Sequence, residues 1–315
     1  MTRPDVASVL GRLDSLGAPG VEELSPAQAR AQLEESVLSA DLPVGDIAVE
    51  RPLTIPTRAG NIAGLLLDAR LTRGPGPVLL WYHGGGFVTG GLDTHRSFAA
   101  HVARHTDLPV VLVDYRLAPE APFPAAVEDA EDAARWVADS PADLGREADA
   151  VVVGGDSAGG TLAITTAMAL RDAPAARNVL AQLVVYPGTD LSRRYDSRAE
   201  YGTGRILTSE ALEWYHGHYQ ADPSDWRGSP LLGSLAGLPP AVVLTAGEDP
   251  VRDEGRAYAA GLVTAGVETT FHEATGNVHG FVLMRRAVPS AQDDTVRALD
   301  ALTAVLRSHG GGGRG

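Results

Sequence analysis

The pentapeptide Gly155-Asp156-Ser157-Ala158-Gly159 places a serine among small residues, directly after a valine-rich apolar segment. A helical pattern follows it, and the order strand, sharp turn, helix is typical of a nucleophilic serine. Small flanking residues permit strained torsions at the serine, and the dipole of the following helix favours a developing negative charge. A glycine-rich turn with an incidental serine is the simpler alternative. A phosphate-binding loop would need a lysine or G-x-G-x-x-G spacing, and this segment has neither.

A serine hydroxyl is a poor nucleophile until a histidine takes its proton and a carboxylate orients that histidine. Asp249 lies just beyond the apolar segment AVVLTAG, and His279 lies in the loop GNVHGF after the segment VETTFH. Both positions are at the ends of predicted strands, on the side of the sheet where Ser157 is expected. The sequence therefore predicts Ser157 as nucleophile, Asp249 as the orienting acid and His279 as base.

Other acids and histidines are weaker candidates. Asp249 is followed by proline and suits a helix N-cap, and Glu248 and Asp253 remain rival acids with a less direct approach to the strand tip. Six further histidines lie in predicted strands, helices or insertions rather than at strand tips, and the chain has no H-E-x-x-H motif. These are His95, His101, His105, His216, His218 and His272. We therefore predict no metal site.

A second glycine-rich turn, HGGG at 83–86, directly follows the apolar segment VLLWY. A run of glycines exposes backbone N–H groups that can point at a developing negative oxygen. The amides of Gly84, Gly85 and Ala158 are the predicted donors of this oxyanion hole. The position after a strand makes the motif informative, because the same tetrapeptide recurs at 309–312 in the terminal tail, where no strand precedes it.

Three aromatic residues, Phe87, Tyr186 and Trp214, are candidates for lining a substrate pocket. An apolar wall selects an acyl or alcohol group by burial, which contributes about 25 cal/mol per Å². Packing in the hydrophobic core explains each of the three residues equally well.

The elements that position these residues follow from the hydrophobic pattern. Eight short apolar segments predict eight strands, and from the third onward they alternate with helical patterns. This alternation predicts an α/β fold with a mostly parallel eight-stranded sheet and helices on both faces, with the first two segments as an antiparallel hairpin at the edge. The segments are 47–56, 62–69, 77–82, 109–115, 149–155, 180–187, 241–247 and 267–272.

The chain divides into a core and two additional helical segments. Residues 46–189 and 236–308 carry the strands and form the two parts of the core. Residues 1–45 contain two amphipathic helical stretches, and residues 190–235 are a polar insertion with several aromatic side chains. We expect these two segments to form a helical cap, since long insertions are commonly functional, although packing helices and a long loop are the simpler alternative. Residues 309–315 are expected to be a disordered tail.

Composition narrows the possible functions. The chain of 315 residues has no cysteine, and all 26 basic residues are arginine, which excludes thiol nucleophiles and lysine Schiff bases. A net charge of -14 opposes binding to nucleic acids or anionic membranes. No apolar run approaches the roughly 18 residues of a membrane helix, and the N-terminus lacks the apolar core of a secretory signal. We therefore expect a cytoplasmic protein, without stable membrane insertion, that acts on a neutral small molecule.

Five motifs occur in order at the predicted strand ends, namely HGGGF, DYRLAPE, GDSAGG, EDPVRDEG and GNVHGF. Through this combination the chain resembles the hormone-sensitive-lipase-like esterases over most of residues 75–285, and its GDSAG motif is similar to one branch of the bacterial members. The resemblance implies an α/β-hydrolase fold with a helical cap. It also implies that the residues assigned above form a catalytic triad and an oxyanion hole.

The resemblance further implies a carboxylic ester substrate with a short or medium acyl chain, an acyl-enzyme, no cofactor, and often a homodimer formed through a peripheral sheet edge. Two alternatives remain. A non-catalytic binding protein can share this scaffold, although plant receptors similar to the family have lost the histidine that is present here as His279. Hydrolysis of amides or lactones, or acyl transfer in a biosynthetic pathway, would use the same serine chemistry.

Overall fold

Eight strands build one sheet, as the hydrophobic pattern predicts. The computed structural model describes residues 1–310. The strands are β1 (Val49–Thr57), β2 (Gly60–Asp68), β3 (Gly76–Tyr82), β4 (Val110–Asp114), β5 (Ala148–Asp156), β6 (Val179–Val185), β7 (Ala241–Glu248) and β8 (Thr269–Val278). Their order across the sheet is β1-β2-β4-β3-β5-β6-β7-β8. β1 and β2 form the predicted antiparallel edge hairpin, β2 pairs antiparallel with β4, and the remaining pairs are parallel.

The central strands are continuously apolar because helices cover both faces of the sheet. Successive side chains of a strand point to opposite faces. In β3, Val78, Leu80 and Tyr82 therefore enter one hydrophobic core, whereas Leu79 and Trp81 enter the other. All five side chains are fully buried. The sheet thus separates two cores and cannot shift its register without exposing one of them.

Helices connect most of the strands and cover both faces of the sheet. The helices within residues 1–310 are α1 (Pro4–Leu16), α2 (Pro26–Ala40), α3 (Leu92–Thr106), α4 (Ala125–Ala138), α5 (Ala158–Asp172), α6 (Asp196–Tyr201), α7 (Ser209–Tyr219), α8 (Arg252–Thr264) and α9 (Ser290–Gly310). Helices α4, α5 and α8 pack on one face, and α3 and α9 pack on the other. The segments that follow β3, β5, β7 and β8 carry the predicted triad and oxyanion residues at the carboxyl ends of parallel strands. In the part of the chain that the structure describes, no helix combines the length and apolarity needed to cross a bilayer.

The segments 1–45 and 190–235 contain α1 and α2, and α6 and α7, respectively. A small apolar cluster brings the two segments together beside the loop that follows β7. It consists of Leu207, Ala211, Leu212 and Val251, with Val21 packed against it. The assignment of both segments to a cap, and the division of the core around them, stay predictions.

The last strand is longer than the pattern 267–272 predicts. β8 ends at Val278 because it remains paired with β7 as far as Glu248. The pairing crosses an irregularity after Ala246, where the backbone of β8 takes a φ of 74° at Gly276, a conformation that glycine adopts at little cost.

The predicted disordered tail 309–315 is wrong at its beginning. Residues 309 and 310 end α9. His309 Nε2 lies 2.9 Å from Oε2 of Glu268, the residue before β8, so the last turn of α9 contacts the start of that strand. Residues 311–315 lie outside the described residues.

Candidate active site

Ser157 occupies a strained turn between β5 and α5. Its φ of 55° and ψ of −121° lie outside the regions that ordinary residues adopt, as expected of a nucleophile elbow. The backbone passes so close to β3 that a Cβ on Gly159 would overlap the carbonyl oxygen of Tyr82. The Ser157 N–H donates to the Val185 carbonyl at 2.8 Å, and the Ser157 carbonyl accepts from the Thr161 N–H at 3.1 Å. These contacts hold the serine at the tip of the sheet.

Asp249 and His279 reach Ser157 from the two neighbouring strands β7 and β8. Glu248 pairs with Val278 in the register of these strands, so the residues that follow, Asp249 and His279, are brought side by side. His279 Nδ1 lies 2.7 Å from Asp249 Oδ2, and His279 Nε2 lies 2.8 Å from Ser157 Oγ. When Nδ1 carries the proton and donates it to the carboxylate, Nε2 is free to accept the serine proton. The structure therefore brings the three predicted side chains within hydrogen-bond reach of each other.

Burial fixes the position of the Asp249 carboxylate. The residue is 0% exposed, and its second oxygen, Oδ1, accepts from the Val251 N–H at 2.9 Å. This bond satisfies a backbone donor at the start of α8. The N-cap of α8 is Val251, so the alternative of Asp249 as the helix N-cap is wrong, and Asp249 instead closes a turn just before the helix while it contacts His279.

The rival acids are engaged elsewhere. Glu248 accepts from the Thr2 hydroxyl at 2.7 Å and from Arg205 at 2.9 Å. Asp253 accepts from Arg252 at 2.8 Å and from the Ser197 N–H at 3.0 Å. Both carboxylates are thus held by partners outside the Ser157–His279 pair.

Gly84 cannot serve as an oxyanion donor, and that prediction is wrong. The Gly84 N–H donates to Asp156 Oδ1 at 3.1 Å and lies 3.2 Å from His95 Nε2. The residue is also buried. An amide that is bonded inside the protein has no proton left to offer a substrate oxygen.

Gly85 and Gly86 instead direct their N–H groups outward. The Gly84 carbonyl accepts from His83 Nδ1 at 2.8 Å, and the Gly85 carbonyl accepts from the Thr89 N–H at 2.8 Å and the Thr89 hydroxyl at 3.0 Å. In a planar trans peptide, the N–H points away from the preceding carbonyl. The amides of Gly85 and Gly86 therefore point away from these bonds, and no acceptor within residues 1–310 binds either of them.

The third donor, the amide of Ala158, begins α5 and has no acceptor within that helix. The outward direction of the Gly86 amide could not be predicted, because three consecutive glycines in a sequence do not show which peptide faces outward. The positive φ of Gly85 and Gly86, 120° and 59°, distinguishes them from Gly84, but it is visible only in the structure.

Tyr186 lies behind His279 rather than in an open pocket. It is 1% exposed, its ring centroid is 4.6 Å from that of His279, and it makes an edge contact with Phe281 at 5.4 Å. The pocket-lining prediction is therefore wrong for Tyr186, and the alternative of core packing holds. The ring supports one face of His279.

Phe87 and Trp214 lie among aromatic neighbours. Phe87 stacks on Tyr219 at 3.8 Å with nearly parallel rings, and it retains 9% of its surface. Trp214 is half-buried and makes edge contacts with Tyr215 at 5.1 Å and His218 at 4.5 Å. A substrate-lining role for these two residues stays a prediction.

Glu254, which the sequence analysis did not single out, ties the insertion 190–235 to α8. Its Oε2 accepts from the Thr189 N–H at 2.7 Å and the Asp190 N–H at 3.1 Å. Burial raises the pKa of Glu254 to about 7 against the effect of these bonds, and the charges of Asp190 and Asp249 raise it further. A carboxyl that titrates near neutrality therefore lies at the entry to the insertion.

Comparisons with known proteins place this arrangement in a family. The sequence profile of the α/β-hydrolase fold family matches residues 79–283. An ethyl acetate hydrolase of Pseudomonas putida is 37% identical over 96% of this chain and 99% of that protein. The esterase LipI of Mycobacterium tuberculosis is 43% identical over 73% of this chain and 73% of the LipI chain. The chain belongs to the α/β-hydrolase family, in its hormone-sensitive-lipase-like group.

Solved structures agree with this assignment along nearly the whole chain. An ester hydrolase from the metagenome of Lake Arreo, in complex with a derivative of bipyridine phosphonate, superposes with a TM-score of 0.92 at 36% identity, covering 96% of this chain and 99% of that one. A hyperthermophilic esterase from Pyrobaculum calidifontis gives a TM-score of 0.89 at 36% identity over 98% of both chains. The predicted eight-stranded α/β-hydrolase fold is therefore confirmed.

Proposed function

We propose that this chain hydrolyses carboxylic esters through an acyl-enzyme on Ser157. The chain is an esterase of the family described above, and relatives named as ester hydrolases support that class of substrate. The observation that carries the mechanism is the hydrogen-bonded series Ser157–His279–Asp249, with distances of 2.8 and 2.7 Å. No cofactor is required for this chemistry.

In the first half-reaction, Ser157 Oγ attacks the ester carbonyl while His279 Nε2 takes the hydroxyl proton. Asp249 stabilises the imidazolium that forms. The carbonyl oxygen becomes an oxyanion, and the amides of Gly85, Gly86 and Ala158 donate to it. When the tetrahedral intermediate collapses, the bond to the alcohol oxygen breaks and His279 returns the proton to that oxygen. The alcohol leaves, and the acyl group stays on Ser157.

In the second half-reaction, water replaces the alcohol. His279 takes one proton from water, and the hydroxide adds to the acyl carbon with the same three amides on the oxyanion. The bond to Ser157 Oγ then breaks, and His279 returns the proton to the serine. The free acid is released, and the enzyme regains its starting state.

We further propose a preference for short or medium acyl chains. The turn after β3, residues 83–90, is called the oxyanion turn. The Tyr215 ring lies so close to it that a Cβ on Gly86 would overlap the ring, and Phe87 in the same turn stacks on Tyr219. The Tyr215 ring therefore borders the space beside the Gly86 amide, which favours a small acyl group. The relative named as an ethyl acetate hydrolase supports a small acyl group.

The alternatives to ester hydrolysis differ in the residues and substrates that they require. Retention of His279 argues against a non-catalytic binding protein, whereas amide or lactone hydrolysis and acyl transfer use the same serine, histidine and acid. Competition between ester, amide and lactone substrates, and the dependence of turnover on water, distinguish these reactions. A homodimer and a cytoplasmic location stay predictions.

Hydrolysis of p-nitrophenyl esters from acetate to palmitate tests the proposal. The wild type should be most active on short or medium chains, and Ser157→Ala should lower turnover by on the order of a millionfold. Ser39→Ala, on an exposed turn of α2, is the matched control and should keep full activity. Near-normal turnover by Ser157→Ala, or a wild type inert on every chain length, would contradict the proposal.

A further inference from the structure

A buried carboxylate lies between the nucleophile elbow and the oxyanion turn. Asp156, the residue before Ser157, is 2% exposed. Its Oδ1 accepts from the Gly84 N–H at 3.1 Å and from the Trp81 indole N–H at 3.2 Å. The end of β5 and the turn after β3 are thereby joined through one side chain. The reaction steps above do not use this group.

His95 of α3 is the charge partner of this carboxylate. It is 0% exposed, and its Nε2 lies 3.2 Å from Asp156 Oδ1 and 3.3 Å from Oδ2. On its other side, Nδ1 lies 2.8 Å from the Thr94 hydroxyl, which fixes the plane of the ring. Burial opposes ionisation of Asp156, but the charge and hydrogen bond of His95 hold the pKa of the carboxyl below its usual range. Asp156 is therefore a carboxylate with a donor on each side.

The contacts of Gly84 decide the direction of the next amide. Its N–H is bonded to Asp156, and its carbonyl accepts from His83 Nδ1 at 2.8 Å. Burial lowers the pKa of His83 to about 3, so the ring is neutral and offers a single N–H. With both ends of the Gly84 residue bonded, the planar peptide that follows directs the Gly85 N–H toward the substrate oxygen.

A bare buried charge at this position would oppose catalysis. The carboxylate belongs to the residue before the nucleophile, and a negative charge there repels the oxyanion that forms on the neighbouring amides. A hydrogen bond from His95 Nε2 to the carboxylate offsets part of that charge while leaving both carboxylate oxygens able to accept. Asp156 and His95 together can therefore hold the oxyanion turn in place with less repulsion between the carboxylate and the oxyanion.

We propose that Asp156 and His95 are positioning residues that fix the oxyanion turn against the nucleophile elbow, Asp156 by accepting the Gly84 amide and His95 by pairing with Asp156. This rests on the proposed ester hydrolysis. Asp156 and His95 are 2% and 0% exposed, so both act on the transition state through the direction of the Gly85 amide and leave ground-state binding unchanged.

Two isosteric variants of Asp156 test the anchor. Asp156→Asn retains an oxygen that can accept from Gly84, whereas Asp156→Leu has the same size and no acceptor. We expect kcat of the Asn variant to stay within about tenfold of wild type and kcat of the Leu variant to fall about a hundredfold, the loss typical of one misplaced oxyanion donor, with KM within about threefold in both. Equal kcat values in the two variants, or a loss confined to KM, would overturn the proposal.

Variants of His95 test the pairing without removing the acceptor. His95→Gln keeps an N–H that can reach Asp156, and His95→Leu leaves the carboxylate unpaired. The Leu variant should lose about a hundredfold in kcat, and adding Asp156→Asn should restore most of that loss because the unpaired charge is gone. A double variant as slow as His95→Leu alone would contradict the charge-pairing role. These variants also answer the question if Asp156→Leu does not fold.

Amide hydrogen exchange of the turn 83–90 provides a readout that does not depend on turnover. Exchange in this segment should be faster in Asp156→Leu than in Asp156→Asn, with matched exchange in β6 as internal control. Unchanged exchange would overturn the anchor even in an inactive protein. Failure of the proposed function would appear differently, as a wild type that hydrolyses no ester.

Discussion

A buried ion pair joins the N-terminal helices to the segment behind His279, and breaking it should destabilise the fold. Asp41 directly follows α2, and Arg285 lies shortly after the 3-10 turn Phe281–Leu283. Arg285 donates to both carboxylate oxygens of Asp41 at 2.7 and 2.6 Å and also to the Ser97 hydroxyl at 2.8 Å. The side chain of Asp41 is 2% exposed and that of Arg285 is 1% exposed.

The magnitude follows from the group that remains after substitution. Asp41→Leu leaves the Arg285 guanidinium buried with the Ser97 hydroxyl but without a counter-charge, and removing one partner of a buried pair costs about 3–5 kcal/mol. Replacing both partners with apolar side chains, Asp41→Leu with Arg285→Met, leaves no buried charge. The double variant should therefore regain most of the lost stability.

Urea unfolding followed by circular dichroism measures the free energy of unfolding of these variants. Arg194→Ala is the matched control, because Arg194 lies 2.8 Å from Glu213 with side chains 74% and 56% exposed. Such an exposed pair contributes less than about 1 kcal/mol. A loss below about 1 kcal/mol for Asp41→Leu, or a double variant no more stable than the single one, would refute the reasoning.

Three further substitutions have defined outcomes. Gly86→Ala should lower kcat about a hundredfold, because its Cβ meets the Tyr215 ring and displaces an oxyanion donor, and unchanged kcat for p-nitrophenyl butyrate would remove Gly86 from the hole. Asp249→Asn should lower kcat by about 10⁴ by favouring the wrong tautomer of His279, and a loss below tenfold would contradict its role. Because the pKa of Glu254 in the folded protein is raised to about 7, the folded state holds this proton more tightly than the unfolded state does. The free energy of unfolding should therefore fall by about 2 to 3 kcal/mol as the pH rises from 5 to 8 and Glu254 loses its proton. Glu254→Gln should abolish this part of the pH dependence when urea unfolding is measured at several pH values. Parallel plots of the free energy of unfolding against pH for the variant and the wild type would rule out this role of Glu254.

The positions of the three proposed catalytic side chains could be predicted because each follows a strand with a clear apolar pattern. Ser157, Asp249 and His279 come directly after β5, β7 and β8, and parallel strands bring their carboxyl ends to one edge of a sheet. The prediction therefore needed only the strand count and the residue types. The predicted end of β8 at residue 272 was too early, but it still placed His279 beyond the strand, and His279 is the first residue after β8 in the structure.

The oxyanion turn could not be predicted in full, because its geometry depends on distant partners. The Gly84 N–H donates to Asp156, which lies 72 residues away in the chain. The carbonyl of Gly85 accepts from the Thr89 hydroxyl. No local pattern in three glycines contains these contacts. The sequence alone therefore does not show that the Gly84 amide is bonded inside the protein while the Gly86 amide is free to bind an oxyanion.

Burial decided the remaining differences. Tyr186 follows β6 at the same end of the sheet as the site, yet its ring packs under His279 because the backbone takes a positive φ of 34° there. In the sequence, Glu254 resembles any other acidic residue of a helix. Its role emerges only from the backbone N–H groups of Thr189 and Asp190, at the junction of the core and the insertion, which donate to its carboxylate. Both features require the packed tertiary structure.

Covalent labelling of the nucleophile tests the central claim most directly. The protein is incubated with a fluorophosphonate, and the modified peptide is located by mass spectrometry while ester hydrolysis is followed in the same samples. The account predicts one adduct on Ser157, loss of activity in proportion to labelling, and neither adduct nor activity in Ser157→Ala. Inactivation with the adduct on another residue, or with Ser157 unmodified, would contradict it.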